Sequence, residues 1–488
     1  MSGIAGIRDK DGTGAVTAML GRIKHRGPDE LRVAGLAEGV FGAVSLAPRP
    51  HDEAGPLVRN NRMFAWDGEL FDFEALRGSS GSEASTDSEW ILERYDQEGP
   101  EVFARLNGPY AAALLDGDDL VLARDPLGQA PLYTGRIEGR VCFASEIKAF
   151  GENVTDIQPF PPGQCLMRGE LRPIRKLAAP PPVDPDPDKI AAELLRRLER
   201  SIERRLAQTP RIGVWLSGGL DSSVLTALAA AVSRSVSTFS AGLAGAPDLA
   251  FARDVADHVG ADHHERLCTI GEMLEVLPSV IYHLESFDAP LVRSSIANYL
   301  VAGAAAGHVR VVLSGEGGDE LFAGYSFLKD KEGDSLRAAL ADAQGALHNT
   351  ALQRVDRMAA AHGTRPRPGF LDPDVVAFAN ALPGDVKIHG PERTEKWILR
   401  RAIQGRLPEE VVWRPKEKFW SGSGISEKLA EVANREIGDD AFARERDIGP
   451  GDTLGSKEDL YYYRIFRRWF PRVKVLGSVG RTLHREGR

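Results

Sequence analysis

The stretch Arg211-Ile-Gly-Val-Trp-Leu-Ser-Gly-Gly-Leu-Asp-Ser-Ser-Val224 constrains this chain more than any other. Residues 211–216 read as a short buried strand, and the Ala- and Leu-rich run 222–232 reads as a helix. After Leu216, the turn between them is Ser217-Gly218-Gly219-Leu220-Asp221-Ser222. A glycine turn feeding a helix start presents unpaired N–H groups and the positive end of the helix dipole. Such a corner suits an anion, and pyrophosphate in particular. Ser217 and Ser222 add hydroxyl donors. Asp221 is an acid beside a phosphate, and Mg²⁺ is the group that would give it a purpose there. No Gly-Lys-Ser/Thr follows, so this is not a Walker A loop. The plain alternative is a strand–turn–helix corner whose serines carry no chemistry.

With 488 residues, 42% of them hydrophobic, the chain can bury the cores of two or more domains. Lys and Arg number 61 against 70 Asp and Glu, a net −9 that gives no general attraction to nucleic acid. The basic end of the chain, residues 472–488, reads as a solvated tail. Cys142, Cys165 and Cys268 are too widely spaced for a disulfide framework or a zinc pattern. No apolar run reaches membrane-spanning length, and the N-terminus lacks a secretory signal pattern. The expectation is a cytoplasmic protein without nucleic-acid or membrane partners.

The run Ala-Ala-Pro-Pro-Pro-Val-Asp-Pro-Asp-Pro-Asp-Lys over 178–189 holds five prolines and reads as an extended linker. Before it, residues 1–177 carry short β-like runs at 40–46, 63–66, 111–115, 120–123 and 141–144, with helical runs at 88–98 and 100–106, an α+β pattern of antiparallel strands. After it, residues 190–488 open with an amphipathic helix at 190–207. Strands at 211–216, 236–239, 263–267 and 309–313 then alternate with helices, an α/β pattern with parallel strands. Ligands of such sheets bind at the carboxyl ends of the strands. Beyond about 337 the pattern is mostly helical.

A second glycine loop follows the strand at 309–313: Ser314-Gly-Glu-Gly-Gly-Asp-Glu-Leu-Phe-Ala-Gly-Tyr325. Ser314 and Gly315 would extend the phosphate site, and Asp319 with Asp221 would clamp one Mg²⁺ on a triphosphate. Glu316 adds a further acid. Downstream, Trp413-Arg-Pro-Lys-Glu-Lys-Phe419 offers Lys416 and Lys418 for charge developing at a phosphate.

These loops resemble those of the ATP pyrophosphatases. Together with Leu352-Gln-Arg-Val-Asp-Arg-Met358, Phe370-Leu-Asp372 and Tyr461-Tyr-Tyr-Arg-Ile-Phe466, they have the order and spacing of the asparagine synthetase B family. The first half is similar to the same family through His25-Arg-Gly-Pro-Asp29, Asp67-Gly-Glu69, Thr86-Asp-Ser-Glu89, Arg124-Asp-Pro-Leu-Gly128, Pro131-Leu-Tyr133 and Ala144-Ser-Glu-Ile-Lys148. The resemblance implies an αββα sandwich of the N-terminal nucleophile hydrolase type, glutaminase-like, over 1–177. It implies an adenine nucleotide α-hydrolase-like, doubly wound parallel sheet with a helical C-terminal part over 190–488. The implied chemistry is adenylation of a carboxylate by ATP, then attack by nitrogen to give an amide, AMP and pyrophosphate. By position Asp221 and Asp319 match the metal-holding aspartates, Glu316 the catalytic glutamate, and Lys416 the active-site lysine.

The glutaminase half departs from that pattern. The family's nucleophile is a cysteine at position 2, and here it is Ser2, a weaker nucleophile. Ser45 stands where the family's glutamine-binding arginine is expected, although Arg49 lies nearby. Asp67, before Gly68, replaces the asparagine of the oxyanion hole, with the wrong charge. Asp87 is kept. Three changes at one site imply a glutaminase that no longer works. The related β-lactam synthetases also do without glutamine, but carry a tyrosine where Glu316 stands. Near Arg365-Pro-Arg-Pro-Gly-Phe-Leu-Asp372 the family's acid is replaced by Arg365, which with Arg293 and Asp356 is a candidate for the acceptor substrate. The first reading is an amide ligase of specialised metabolism that joins a small carboxylic acid to ammonia or an amine. The alternatives are an asparagine synthetase and a non-catalytic scaffold. A homodimer is one candidate assembly.

Overall fold

In a computed structural model of the protein, the described residues are 2–46, 55–174, 183–207, 209, 211–233, 235–415, 425–449, 452–471 and 473–482. The first half is built on two antiparallel sheets of six strands. One runs in the order Val154–Pro159, Tyr133–Ile137, Arg140–Ala144, Ser2–Ile7, Gly39–Ser45, Glu30–Leu36. The other runs Glu170–Pro173, Gln164–Met167, Asp119–Arg124, Tyr110–Asp116, Arg62–Gly68, Leu57–Arg59. Successive side chains of a strand face opposite ways. Ile4, Phe41, Ala43, Met63, Ala65 and Ala113 therefore fill the space between the sheets. Ala5, Ile7 and Val44 face the other way, onto Val16, Met19 and Leu20 of the helix Thr13–Arg22. On the far side Trp90 and Ile91 of the helix Asp87–Glu98 cover Phe64, Ala112 and Leu114. The result is an αββα sandwich. Thr86 and Glu89 form a reciprocal capping box at the start of that last helix, which gives the Thr86-Asp-Ser-Glu89 run a structural reason.

Residues 178–182 of the proline-rich run lie outside the described residues, and its last three residues are helical. Asp186 caps the helix Pro187–Leu206, with Pro187 in the first turn. The second half is organised by a parallel sheet in the order Asp262–Cys268, Val236–Leu243, Ile212–Trp215, Val311–Ser314, Arg365–Pro368. The strand order reverses direction between Ile212–Trp215 and Val311–Ser314, which creates a crevice at their carboxyl ends. The fifth strand escapes a sequence reading because it is Arg-Pro-Arg-Pro. It lies at the sheet edge, where proline is tolerated. Arg365 N donates to Arg310 O (2.7 Å) and Gly369 N to Ser314 O (3.2 Å), so non-proline residues face the neighbouring strand at both ends.

The two halves share one apolar core. Ile7, Ile147 and Phe150 belong to the same buried cluster as Leu277, Ile281 and Met358. All three cysteines are free and buried, and no helix among the described residues is long and apolar enough to cross a membrane.

Candidate active site

The corner after Ile212–Trp215 is tied by its own serines. Ser217 N donates to Ser222 Oγ (3.1 Å), the two hydroxyls lie 3.0 Å apart, and Ser223 Oγ donates to Gly219 O (2.8 Å). Gly219 caps the helix Leu220–Val232 without a side chain of its own, leaving the helix start open to an anion. Leu216 N donates to Phe239 O (2.8 Å), which fixes the strand end. Arg414 closes the corner from outside. Its guanidinium donates to Gly218 O (3.3 Å) and Asp248 Oδ1 (2.6 Å) and lies over the Phe251 ring.

The second loop packs directly on the first. A Cβ at Gly318 would stand 2.5 Å from Asp221 Cγ, and one at Gly315 would stand 3.1 Å from Asp221 Cβ. Asp221 thus enters the second loop through space that only glycine leaves. Between the loops sits a cation that the sequence reading missed. Lys396 Nζ is 2.6 Å from Asp221 Oδ2 and 2.5 Å from Asp319 Oδ1. Burial works to lower its pKa, but the two carboxylates outweigh that and raise it. Lys396 lies in the charged run 391–396, where nothing singles it out; the short strand pair Ile388–His389 and Thr394–Glu395 delivers it. Ser314 Oγ is buried at the end of its strand without a hydrogen-bond partner among the described residues.

The place where Asp221 and Asp319 converge fits a divalent cation, since an ammonium already stands in for one there. Two carboxylates with a phosphate are the donor set Mg²⁺ takes. Glu316 receives both bonds of a fork from Arg354 Nη2, at 2.9 and 3.0 Å. Glu320 accepts from Tyr325 OH, and burial followed by the Asp319 charge raises its carboxyl to about 7. Lys416 and Lys418 lie outside the described residues.

In the first half, Ser2 and Ser45 are opposed in adjacent strands and buried. Asp67 accepts from Ser2 N (3.3 Å), from Ser145 Oγ (3.2 Å) and from Arg26 Nη2 (3.2 Å). Burial pushes the Asp67 carboxyl up, against the pull of Arg26. Asp87 turns elsewhere and accepts from Leu70 N (2.9 Å). Arg49 is outside the described residues.

Three expected acceptor residues have other roles. Arg293 is paired with Glu458 (Nε–Oε1 2.8 Å), which also accepts from Tyr462 OH (2.7 Å), so its charge is used within the fold. Asp356 receives Arg26 across the domain boundary at 2.7 and 3.0 Å, and Arg357 at 2.9 Å. Arg365 lies 3.6 Å from Glu69, which Arg367 Nε also contacts at 2.9 Å. The Arg-Pro-Arg-Pro segment therefore forms part of the domain interface. These groups join a buried charged network in which Lys148 meets Glu146 (2.5 Å) and Glu285 (3.0 Å), and Arg357 meets Glu285 (3.2 Å). A cavity of about 40 Å³ remains at the boundary, lined in part by Arg26, Asp67, Glu69, Asp356 and Arg365.

Comparison with known proteins agrees with this architecture. Residues 1–161 match the "Glutamine amidotransferase domain" family, and residues 193–347 and 329–474 match "Asparagine synthase". The "Asparagine synthetase B [glutamine-hydrolyzing]" of Escherichia coli is 33% identical over 92% of this chain and 87% of its own length. A "Probable asparagine synthetase [glutamine-hydrolyzing]" of Dictyostelium discoideum is 30% identical over 95% of this chain and 91% of its own. With a sandwich of the amidotransferase kind joined to a parallel sheet whose two glycine loops meet, this chain belongs to the asparagine synthetase family of ATP-dependent carbon–nitrogen ligases.

Proposed function

We propose that this protein activates a carboxylic acid as its adenylate and joins it to ammonia or an amine taken directly, without hydrolysing glutamine in its first domain. The observation that carries this is Asp67. An oxyanion needs donors, and Asp67 presents a carboxylate that already accepts from Arg26, Ser145 and Ser2 N. The cavity of about 40 Å³ beside it is lined by Asp67, Gly68 and Glu69 together with Asp356 and Arg365 of the second domain.

In the second domain the corner at 217–222 would hold the leaving pyrophosphate, with the Ser314 hydroxyl as a further donor. Asp221 and Asp319 would hold Mg²⁺, which when bound neutralises phosphate charge. Lys416, and Lys396 once freed from the carboxylates, would stabilise negative charge at the phosphates. Glu316, oriented by Arg354, would accept the proton of the attacking amine.

The interface role of residues 365–368 removes the sequence argument for an acid other than aspartate. Specialised metabolism and asparagine formation stand as two readings, and the asparagine synthetase relatives put aspartate first. The test is ATP–pyrophosphate exchange with aspartate and a panel of acids, followed by amide detection with ammonium or amines. Acid-dependent exchange and an amide formed without glutamine are expected. Amide formation only when glutamine is supplied would overturn the reading.

A further inference from the structure

The ammonium of Lys396 occupies the point on which Asp221 and Asp319 converge. We propose that Lys396 is an internal counter-cation that keeps the metal out of this site until nucleotide arrives. On ATP binding the phosphates draw the ammonium off the two carboxylates, and a divalent cation takes its place. This rests on reading Asp221 and Asp319 as metal holders.

Lys396 and a metal ion compete for the same space and the same charge. Mg²⁺ on the same two oxygens would sit about 2 Å from each. Lys396 Nζ, at 2.6 and 2.5 Å from those oxygens, stands within the same volume, so the two cations exclude each other. The surroundings are shaped to the pair. A Cβ at Gly324 would lie 1.9 Å from Asp319 Oδ1 and 2.1 Å from Lys396 Cε. Lys396 is itself buried, with a left-handed backbone (φ 54°) that aims it inward. Its four-carbon stem is flexible, and its partner Asp221 is itself part of the anion-binding corner at 217–222. A triphosphate there offers the ammonium new anions and the metal new ligands at once. Metal and nucleotide affinities must then be coupled, each raising the other by the same factor.

Mn²⁺ serves as the probe, titrated by the electron paramagnetic resonance signal of the free ion, with no acid present. Wild-type protein, Lys396→Met, Lys396→Arg and Asp319→Asn are compared with and without α,β-methylene ATP. Without nucleotide, Lys396→Met should bind Mn²⁺ at least tenfold more tightly than wild type. Lys396→Arg, which keeps the charge, should stay as weak as wild type. The gain caused by the nucleotide analogue should be large in wild type and smaller in Lys396→Met. Unchanged or weaker Mn²⁺ binding by Lys396→Met overturns the proposal. Wild-type protein that binds Mn²⁺ equally well with and without the analogue also overturns it, even if Lys396→Met fails to fold. Analogue-supported Mn²⁺ binding that survives Asp319→Asn would instead sink the metal-holder reading.

Discussion

Gly218 carries the turn of the phosphate corner. Its φ is +75°, and a Cβ there would stand 2.4 Å from Asp248 O, which is backbone and cannot step aside cheaply. Gly218→Ala is predicted to weaken ATP binding at least tenfold by calorimetry while leaving the far-ultraviolet circular dichroism unchanged. Glu316 has a different signature. Glu316→Gln keeps the size and loses the base, so amide formation should fall by about 10²-fold, within the range of general-base catalysis, while pyrophosphate exchange is largely spared. Equal losses in both assays would place Glu316 in adenylation. At this scale the sequence was informative wherever backbone chemistry decides the residue type. Gly218, Gly315 and Gly318 are legible because only glycine leaves the space that Asp221 and Asp248 need. Lys396 is not legible, since a lysine in a charged run looks like any surface lysine until the chain turns back.

At the scale of elements, the helix Ala351–Ala361 links the two halves. Arg354 on it holds Glu316, while Asp356 and Arg357 enter the buried network with Arg26, Glu146 and Glu285. The strands Ile212–Trp215, Val236–Leu243 and Val311–Ser314 are visible as apolar runs. The strand Arg365–Pro368 is not, because at a sheet edge facing another domain neither hydrophobicity nor an unbroken row of N–H groups is required. The internal ion pairs of Arg293, Asp356 and Arg365 are hidden for a related reason, since residue type alone does not tell a substrate's charge from an internal partner's. Lys387, in the short helix Gly384–Lys387, is buried, and burial followed by the charge of Arg337 lowers its pKa to about 8 from 10.5. The unfolded chain binds that proton more tightly, so stability should rise as pH climbs from about 8 to 10.5. Lys387→Met should remove that rise and gain up to about 3 kcal/mol at pH 7 in denaturant titrations, at ~1.4 kcal/mol per pKa unit. A variant with the same alkaline slope as wild type would refute this.

At the scale of the whole molecule, the first domain is joined to the second through buried charges. Its buried charges face the synthetase half: Arg26 meets Asp356, Glu146 meets Arg357, Lys148 meets Glu285, and Glu69 meets Arg367. Burial works to raise the Glu146 carboxyl, but Lys148, Arg357 and His25 hold it well below the ordinary range, so the network is charged at neutral pH. Removing one partner leaves buried charge behind, and Asp356→Leu should cost about 3 kcal/mol of stability. Thermal unfolding of Asp356→Leu, Arg26→Leu and the double variant checks this, with the double variant less destabilised than the sum. The pattern of two domains and their order is readable from the motifs, whereas the charged interface between them is not, because it depends on Arg26 and Asp356, 330 positions apart, meeting face to face.

The most direct test of the central claim follows the nitrogen. Wild-type protein and Ser2→Ala are incubated with amide-¹⁵N glutamine, ATP, Mg²⁺, unlabelled ammonium and the acid that supports pyrophosphate exchange, and glutamate and product are measured by mass spectrometry. The prediction is amide product carrying unlabelled nitrogen, with no glutamate above the Ser2→Ala background. Glutamate release matching product formation, with ¹⁵N in the amide and loss of both on Ser2→Ala, would contradict it.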